Sequence, residues 1–390
     1  MPWRTLIRIS HLSLLNFRNY KDLELALPLG TTLIQGANGH GKSNLLEAIY
    51  MMSIAKSTKV STDRELINNL SVMQLPLEKL TYSKIACVAE DQKGSENLEI
   101  HYRCQSSGNP HGFTAQKFIR INGTPKKPSD LVGIVNAVLF SVSDLDLIYG
   151  SPSIRRRYLD ILLSQIDREY LTSIQQYQKA NTQRNHLLKL IRDRAASTEE
   201  LKYWDELLAK NAVILTTKRQ TAIKTLEESS LPFHSSMASD SETLTMHYLS
   251  PADFAKNISI DKFIYELEGS RKKDIAQGST NIGPHRDDLL FKINEMDASK
   301  YASRGQSRTA ILALKMAESE FLYRHRKTKP VLLLDDVMSE LDQTRREQIV
   351  DHIKHHDQVI VTTAEPSNIP RSFTNDSNRL EITNGSIKMN

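Results

Sequence analysis

GANGHGKS, residues 36–43, follows the apolar run TTLIQ (31–35) and leads into SNLLEAI (43–49). A G-x-x-x-x-G-K-S pattern between a strand-like and a helix-like segment marks a phosphate-binding loop rather than a glycine-rich turn. Gly36, Gly39 and Gly41 let the backbone wrap its N–H groups around phosphate oxygens, and the following helix adds the positive end of its dipole. Lys42 is placed to bridge β- and γ-phosphates, and the Ser43 hydroxyl to face Mg²⁺. Asn38, His40 and Asn44 complete the set expected to line the nucleotide, with His40 presenting backbone.

A second element is needed, and VLLLDD (331–336) supplies it. A buried apolar strand that ends in carboxylates delivers them to the sheet edge where ligands bind in open α/β folds. Asp335, which terminates the apolar run, is the better Mg²⁺ partner. Asp336 is placed to polarise the attacking water. Most of the chain lies between Lys42 and Asp335, a separation that compact GTPases and small kinases rarely have.

Just upstream of the acidic strand stands YASRGQSR (301–308), followed by the helical run TAILALKMAESEFLY (309–323). Ser303 is a natural N-cap for that helix. Its hydroxyl, the Gly305 N–H, Gln306 and the helix N-terminus form a second phosphate-reading surface. One chain already has a complete P-loop. The second surface therefore most economically reads the γ-phosphate of a nucleotide held by another copy, with two heads face to face.

The rest of the chain divides by texture. LSLLNF (12–17), DLELAL (22–27), KIACVA (84–89), LEIHYRC (98–104) and KFIRI (117–121) read as strands of a two-sheet N-terminal lobe. After Pro152 the pattern turns helical. Tyr158, Leu162, Ile166, Tyr170, Ile174 and Tyr177 recur at three and four, and EELKYWDELLAKNAVILTTKRQTAIKTLEE (199–228) forms a second periodic run. The two read as a short antiparallel arm. TLTMHYLS (243–250) looks strand-like and DKFIYELE (261–268) helical. We expect an α/β chain in three parts: 1–150 with the P-loop, 151–275 as helical arm and lobe, and 276–390 with the second phosphate surface and the acidic strand.

Bulk properties exclude some classes. No apolar run is long enough for a membrane span, and the N-terminal residues lack a secretory pattern. Cys87 and Cys104 have no metal-ligand spacing and read as free thiols of a reducing cytosol. A net charge of +5 fits a nucleic-acid partner without proving one. Candidate DNA-phosphate contacts are Arg155, Arg156 and Arg157 in a segment where bases outnumber acids, and Lys56, Lys59 and Arg64 beyond the P-loop helix. No zinc-finger, basic-zipper or RNA-binding pattern appears, so recognition is expected to be backbone-led and sequence-independent. GPHRDD (283–288) is read as a structural turn, since a metal-dependent nuclease needs more converging carboxylates.

LLNFRNY (14–20), GANGHGKSNLLEAIY (36–50), DRELI (63–67), RINGTPKK (120–127), DLVGIVNAVLFS (130–141), GSPSIRRRYLD (150–160), NIGPHRDDL (281–289), ASRGQ (302–306) and VLLLDDVMSELD (331–342) together resemble the RecF family of DNA-repair ATPases, within the ABC-type group that includes SMC proteins. The resemblance implies an ABC-type (SMC/Rad50-like) head with a helical arm but no long coiled coil. It implies ATP and Mg²⁺ as cofactors, a homodimer formed on double-stranded or gapped DNA when ATP binds, and slow, DNA-stimulated hydrolysis. It also implies RecO- and RecR-like partners, loading of a RecA-type recombinase at single-stranded gaps, and a cytoplasmic, nucleoid-associated protein. By the same resemblance Lys42 and Ser43 are P-loop residues, Asp335 is the metal-facing carboxylate and Asp336 the catalytic one. Ser303, Gly305 and Gln306 form the signature, and Ser339, Glu340, Leu341 and Asp342 the D-loop that meets the opposite head. The alternative reading is an SMC-like structural ATPase.

Three places in the chain depart from related patterns. Phe140-Ser141-Val142-Ser143-Asp144-Leu145 lacks the family's glutamate, so no metal-linked role is given to Asp144. His40 and Ser43 replace the usual Gln and Thr. Thr362 and Thr363 stand where transporter ATPases place a switch histidine, which suits slow turnover.

Overall fold

A computed structural model describes residues 8–68, 81–91, 94–106, 113–238, 242–251, 254, 258–366, 369–370, 373 and 377–389. In chain order its main elements begin with β1 (Arg8–Phe17), β2 (Tyr20–Ala26), β3 (Gly30–Gln35), α1 (Lys42–Ile54), β4 (Thr81–Asp91), β5 (Gly94–Ser106), β6 (Phe113–Ile121), β7 (Thr124–Lys126) and β8 (Ala137–Ser141). There follow α2 (Pro152–Ile166), α3 (Arg168–Arg192), α4 (Leu201–Met237), β9 (Leu244–Leu249), α5 (Ile260–Gln277), β10 (Asp288–Ile293) and β11 (Met296–Asp297). The chain closes with α6 (Arg304–Arg326), β12 (Val331–Asp335), α7 (Gln343–Ile353), β13 (Gln358–Thr363), β14 (Ser377–Thr383) and β15 (Ser386–Met389). It forms two compact units, one of residues 1–143 and 318–390, the other of residues 144–317. Residues 276–317 thus group with the helical segment.

In the first unit a sheet runs β15-β14-β3-β13-β12-β8, parallel from β14 to β8. Val331 to Leu334 and Val359 to Val361 are almost fully buried, as expected of parallel strands covered on both faces. Register aligns the strand ends: Asp335 lies beside Thr362 on one side and Ser141 on the other, and Thr363 lies beside Gln35. One sheet edge therefore gathers the P-loop, the acidic strand end and the threonine pair.

The second sheet is antiparallel, β2-β1-β4-β5-β6-β7. Leu12, Leu14, Ile85, Cys87, Leu98, Ile100, Tyr102 and Cys104 are buried on it, and both cysteines are free. Helix α1 packs against β8, β12 and β13 of one sheet and β4 and β5 of the other. Burial on two sides explains why 45–54 is apolar or small nearly throughout, and why its one carboxylate, Glu47, needs a partner. Among the described residues no helix is long and apolar enough to cross a membrane.

The second unit is built on α3 and α4, which pack along each other. Buried arginines pin them. The Arg184 guanidinium donates to Asp205 at 2.6 Å and Asp274 at 2.7 Å, tying α3 to α4 and α5. Arg219 donates to Asp160 at 2.6 Å, to the Tyr170 hydroxyl at 2.9 Å and to the Pro284 carbonyl at 2.8 Å. Removing one partner of such a pair costs about 3–5 kcal/mol, because the other charge stays buried. Helix α4 runs on through Pro232 to Met237, past the periodic run that the sequence shows. Its buried residues Ser229, Ser230, His234 and Met237 keep one face packed, and tertiary burial overrides the proline.

The GPHRDD turn is structural. Gly283 has φ +127°, and a Cβ there would strike the Tyr177 hydroxyl. His285 Nδ1 accepts from that hydroxyl at 2.6 Å while Nε2–H donates to the Thr280 carbonyl at 2.9 Å, which fixes a neutral tautomer. Desolvation lowers this imidazole to about 4. The unfolded chain, with an ordinary histidine, binds the proton more readily. Stability is therefore complete above about pH 6.5 and declines as pH falls toward 4, by up to about 3 kcal/mol. His285→Gln should flatten that slope in urea titrations between pH 4 and 7; an unchanged slope would assign it to other groups.

Candidate nucleotide site

The P-loop is shaped from outside by its neighbours. Gly39 and Gly41 have φ values of +83° and +112°. A Cβ on Gly41 would lie 2.5 Å from Asn19 Nδ2 and 2.9 Å from the Tyr20 hydroxyl, and one on Gly36 would overlap the Ile382 carbonyl oxygen. The Tyr20 hydroxyl donates to the Gly41 carbonyl at 2.8 Å, Asn19 Nδ2 to the His40 carbonyl at 3.0 Å, and Asn44 Nδ2 to Asn19 Oδ1 at 2.9 Å. The Gly385 N–H also reaches the His40 carbonyl, and the His40 ring reaches the Ile382 carbonyl. These contacts hold the His40 and Gly41 carbonyls outward, which leaves backbone N–H groups of this part of the loop to face a phosphate.

Lys42 is buried, and its ammonium donates to the carbonyls of Gly36 at 2.7 Å and Ala37 at 3.1 Å. Burial lowers its pKa, opposed by the fields of Asp336 and Asp335. Ser43 Oγ donates to Asp335 Oδ1 at 2.7 Å, closing the distance between the two motifs. Thr362 Oγ1 lies 3.2 Å from the same oxygen and accepts from the Asp336 N–H at 3.1 Å. Thr362 and Thr363 are both fully buried, and Thr363 is bonded to the Glu365 backbone. Thr362 therefore supports the two aspartates from the neighbouring strand.

Asp336 has φ +54°, a left-handed conformation that costs a non-glycine residue about 1–3 kcal/mol. Its Oδ1 is buried and accepts no hydrogen bond from the described residues. A strained residue with an orphan carboxylate oxygen is what a water-polarising base needs. Among the described residues no group of three or more His, Cys, Asp or Glu could hold a metal by itself. The donor set of one hydroxyl and one or two carboxylates fits Mg²⁺, which commonly completes its shell with water and substrate phosphates.

The signature lies in the second unit. Gln306 N–H donates to Ser303 Oγ at 3.2 Å and Ser303 N–H donates to Gln306 Oε1 at 2.8 Å, a capping box opening α6. Ser303 is exposed, and a Cβ on Gly305 would make only an ordinary contact, 3.8 Å from Ser303 Oγ. Gln306 Nε2 also donates to Glu242 at 3.1 Å. In the D-loop segment Ser339 Oγ donates to the Asp336 carbonyl at 2.7 Å, Leu341 is buried, Glu340 is exposed, and Asp342 caps α7 by accepting from the Arg345 N–H at 2.9 Å.

The basic candidates divide. Arg155 is buried and grips Asp288 with two bonds, 2.6 and 2.8 Å, plus the Gly150 carbonyl at 2.8 Å. It braces the fold, and its charge is committed internally. Arg156 donates to the Asp287 carbonyl at 2.8 Å. Lys59 pairs with Asp335 at 3.1 Å. Arg157 is half-buried, and Lys56 and Arg64 are exposed.

Sequence reasoning missed Arg18, Asn19, Tyr20 and Glu47 as parts of the site, and read Thr362 only as the residue in place of a switch histidine. The turn after LLNF, with positive φ at Asn16 and Arg18, carries the first three. A cavity of about 510 Å³ opens there, with Arg18, Asn19, Gly39, Asn44, Asn68 and Asn384 among its walls.

A parallel sheet that brings a P-loop serine onto a strand-end aspartate, with a separate capped signature helix, defines an ABC-type P-loop ATPase head. The family described as RecF/RecN/SMC N-terminal domain matches residues 8–381. The DNA replication and repair protein RecF of Herpetosiphon aurantiacus is 36% identical, the match covering 97% of this chain and 99% of that protein. A solved structure of the recombination mediator protein RecF with ATP, in the RecFOR pathway, is 31% identical with a TM-score of 0.86 over 99% of this chain and 98% of that one. The Smc head domain of Pyrococcus furiosus shares the fold at 16% identity and a TM-score of 0.54, over 98% and 95%. The chain belongs to the RecF family.

Proposed function

We propose that this chain is an ATP-gated DNA clamp that acts in repair and replication restart. The observation that carries the reading is the pairing, in one chain, of a complete P-loop site with a capped signature helix whose N-terminus is exposed at Ser303 and Arg304. In this reading the loop N–H groups and Lys42 hold the β- and γ-phosphates of ATP, and Asp336 polarises the attacking water. Ser43 and Asp335 would hold Mg²⁺, which supplies charge neutralisation on the phosphate oxygens. The polar cavity beside Asn19 and Asn44 suits the nucleoside. Ser303, Gly305 and Gln306 complete the site of a second copy, with the D-loop residues 339–342 at the same seam, so closure requires ATP. Turnover is slow, because Thr362 supports the aspartates without acting as a base.

DNA is held through its backbone by the exposed bases Lys56 and Arg64 and the half-buried Arg157, independently of sequence. RecO- and RecR-like mediators and, through them, a RecA-type recombinase at gaps are the proposed partners, in a cytoplasmic, nucleoid-associated setting. The RecF relatives, named for DNA replication and repair, and the ATP in the solved RecF structure support this reading. Lys42→Arg should lose at least tenfold of ATP-dependent association with duplex and gapped DNA in sedimentation or filter binding. Association equal to that of the intact chain would remove the gate from the account.

A further inference from the structure

The loop that ends α1 carries a cation onto the site's own carboxylate. Lys59 Nζ lies 3.1 Å from Asp335 Oδ2, while Ser43 Oγ occupies Oδ1 at 2.7 Å. The Lys59 side chain is 31% exposed and the Asp335 side chain 8%, so the pair is only partly screened.

The loop is held in this pose rather than draped over the site. Ala55, at φ +57°, ends the helix. Ser57 is buried and its hydroxyl donates to Glu47, while the Lys59 N–H donates back to Ser57 Oγ at 3.0 Å. Glu47 is in turn gripped by Arg18 through two bonds of 3.0 Å, and Arg18 lines the cavity beside the P-loop. Lys117 donates to the Ala55 carbonyl at 3.3 Å. A continuous set of contacts, Arg18–Glu47–Ser57–Lys59–Asp335, joined at Ser57–Lys59 through the Lys59 backbone N–H, thus runs from the cavity wall to the metal-facing carboxylate.

We infer that Lys59 is a built-in counter-cation of Asp335 that competes with the divalent metal, so that metal loading releases the 55–60 loop. An ammonium and a dication on one carboxylate repel each other. Whatever Lys59 gains from Asp335, the metal must forgo or displace. By reciprocity the metal weakens the hold on the loop by the same factor with which Lys59 weakens metal binding. Lys59 is a positioning residue in this scheme, and the freed ammonium, next to exposed Lys56, adds positive charge to that loop only in the loaded protein.

The inference rests on Asp335 facing the metal, and the test separates the two ideas. Mg²⁺ is titrated into the full chain with a fluorescent ATP analogue, for the intact protein, Lys59→Gln, Lys59→Arg and Asp335→Asn. Lys59→Gln should lower the half-saturating Mg²⁺ roughly tenfold, and Lys59→Arg should stay near the intact value. Amide hydrogen exchange at residues 55–60 should quicken when Mg²⁺ is added to the intact protein with the analogue. In Lys59→Gln it should already be fast and indifferent to Mg²⁺. Unchanged or weaker Mg²⁺ affinity in Lys59→Gln overturns the competition while leaving the site intact. An unchanged Mg²⁺ affinity in Asp335→Asn overturns the site assignment and the inference with it.

Discussion

Asp336→Asn is expected to lower ATP turnover by about a hundredfold or more while ATP affinity changes only a few-fold. The substitution keeps the shape of the side chain. Asparagine also tolerates the left-handed backbone at this position, so the turn after β12 and its N–H bond to Thr362 should survive. What is lost is the charge of a carboxylate whose buried Oδ1 accepts no hydrogen bond from the described residues. An amide can still orient water through its carbonyl but cannot take its proton. Single-turnover hydrolysis measured beside ATP binding checks this directly. Turnover that stays within threefold would move the base elsewhere in the site.

Ser303→Arg is expected to abolish ATP-driven pairing of two copies, a loss of at least a hundredfold in dimer affinity, with ATP binding by the single chain unchanged. Ser303 is exposed at the start of α6, so an arginine meets no clash within its own chain. The local cost is that of a lost cap, about 1 kcal/mol. Ser303→Ala removes the same cap without bulk or charge and so isolates the steric effect at the seam. Equal loss of ATP binding by the single chain would place the signature in its own site instead. Equal pairing by Ser303→Arg and the intact chain would remove it from any interface.

The motifs that bind phosphate were legible because their chemistry restricts the residue types. A backbone that wraps anions needs glycines at set places, and a strand buried on both faces must be apolar until its last residues. The arm was legible in part: Tyr170 and Tyr177 lie on α3, but the run reads as one helix while Tyr158 and Leu162 belong to α2, which ends at Ile166 where Asp167 caps the next helix. Local sequence could not say where long side chains end. Arg155, Arg184 and Arg219 look like surface charges on amphipathic helices, yet each is buried against carboxylates contributed by distant segments. Lys59 looked like a free base until the fold brought Asp335 beside it. Glu47 sits in the P-loop helix as an ordinary helix former, and only the partners the fold supplies, Arg18 from the β1–β2 turn and Ser57, explain its burial. The support given by Asn19, Tyr20 and Ile382 was hidden for the same reason, since shape from outside a loop leaves no mark within it.

Closure around ATP is the centre of the account, and the mass of Asp336→Asn in solution tests it most directly. Light scattering on the full chain, with Mg²⁺ and ATP present or absent and with or without gapped duplex, should show one copy without ATP. It should show a long-lived pair with ATP, stabilised further by the DNA. One copy under every condition, with ATP binding verified in the same samples, would contradict the closure of two heads on a shared nucleotide.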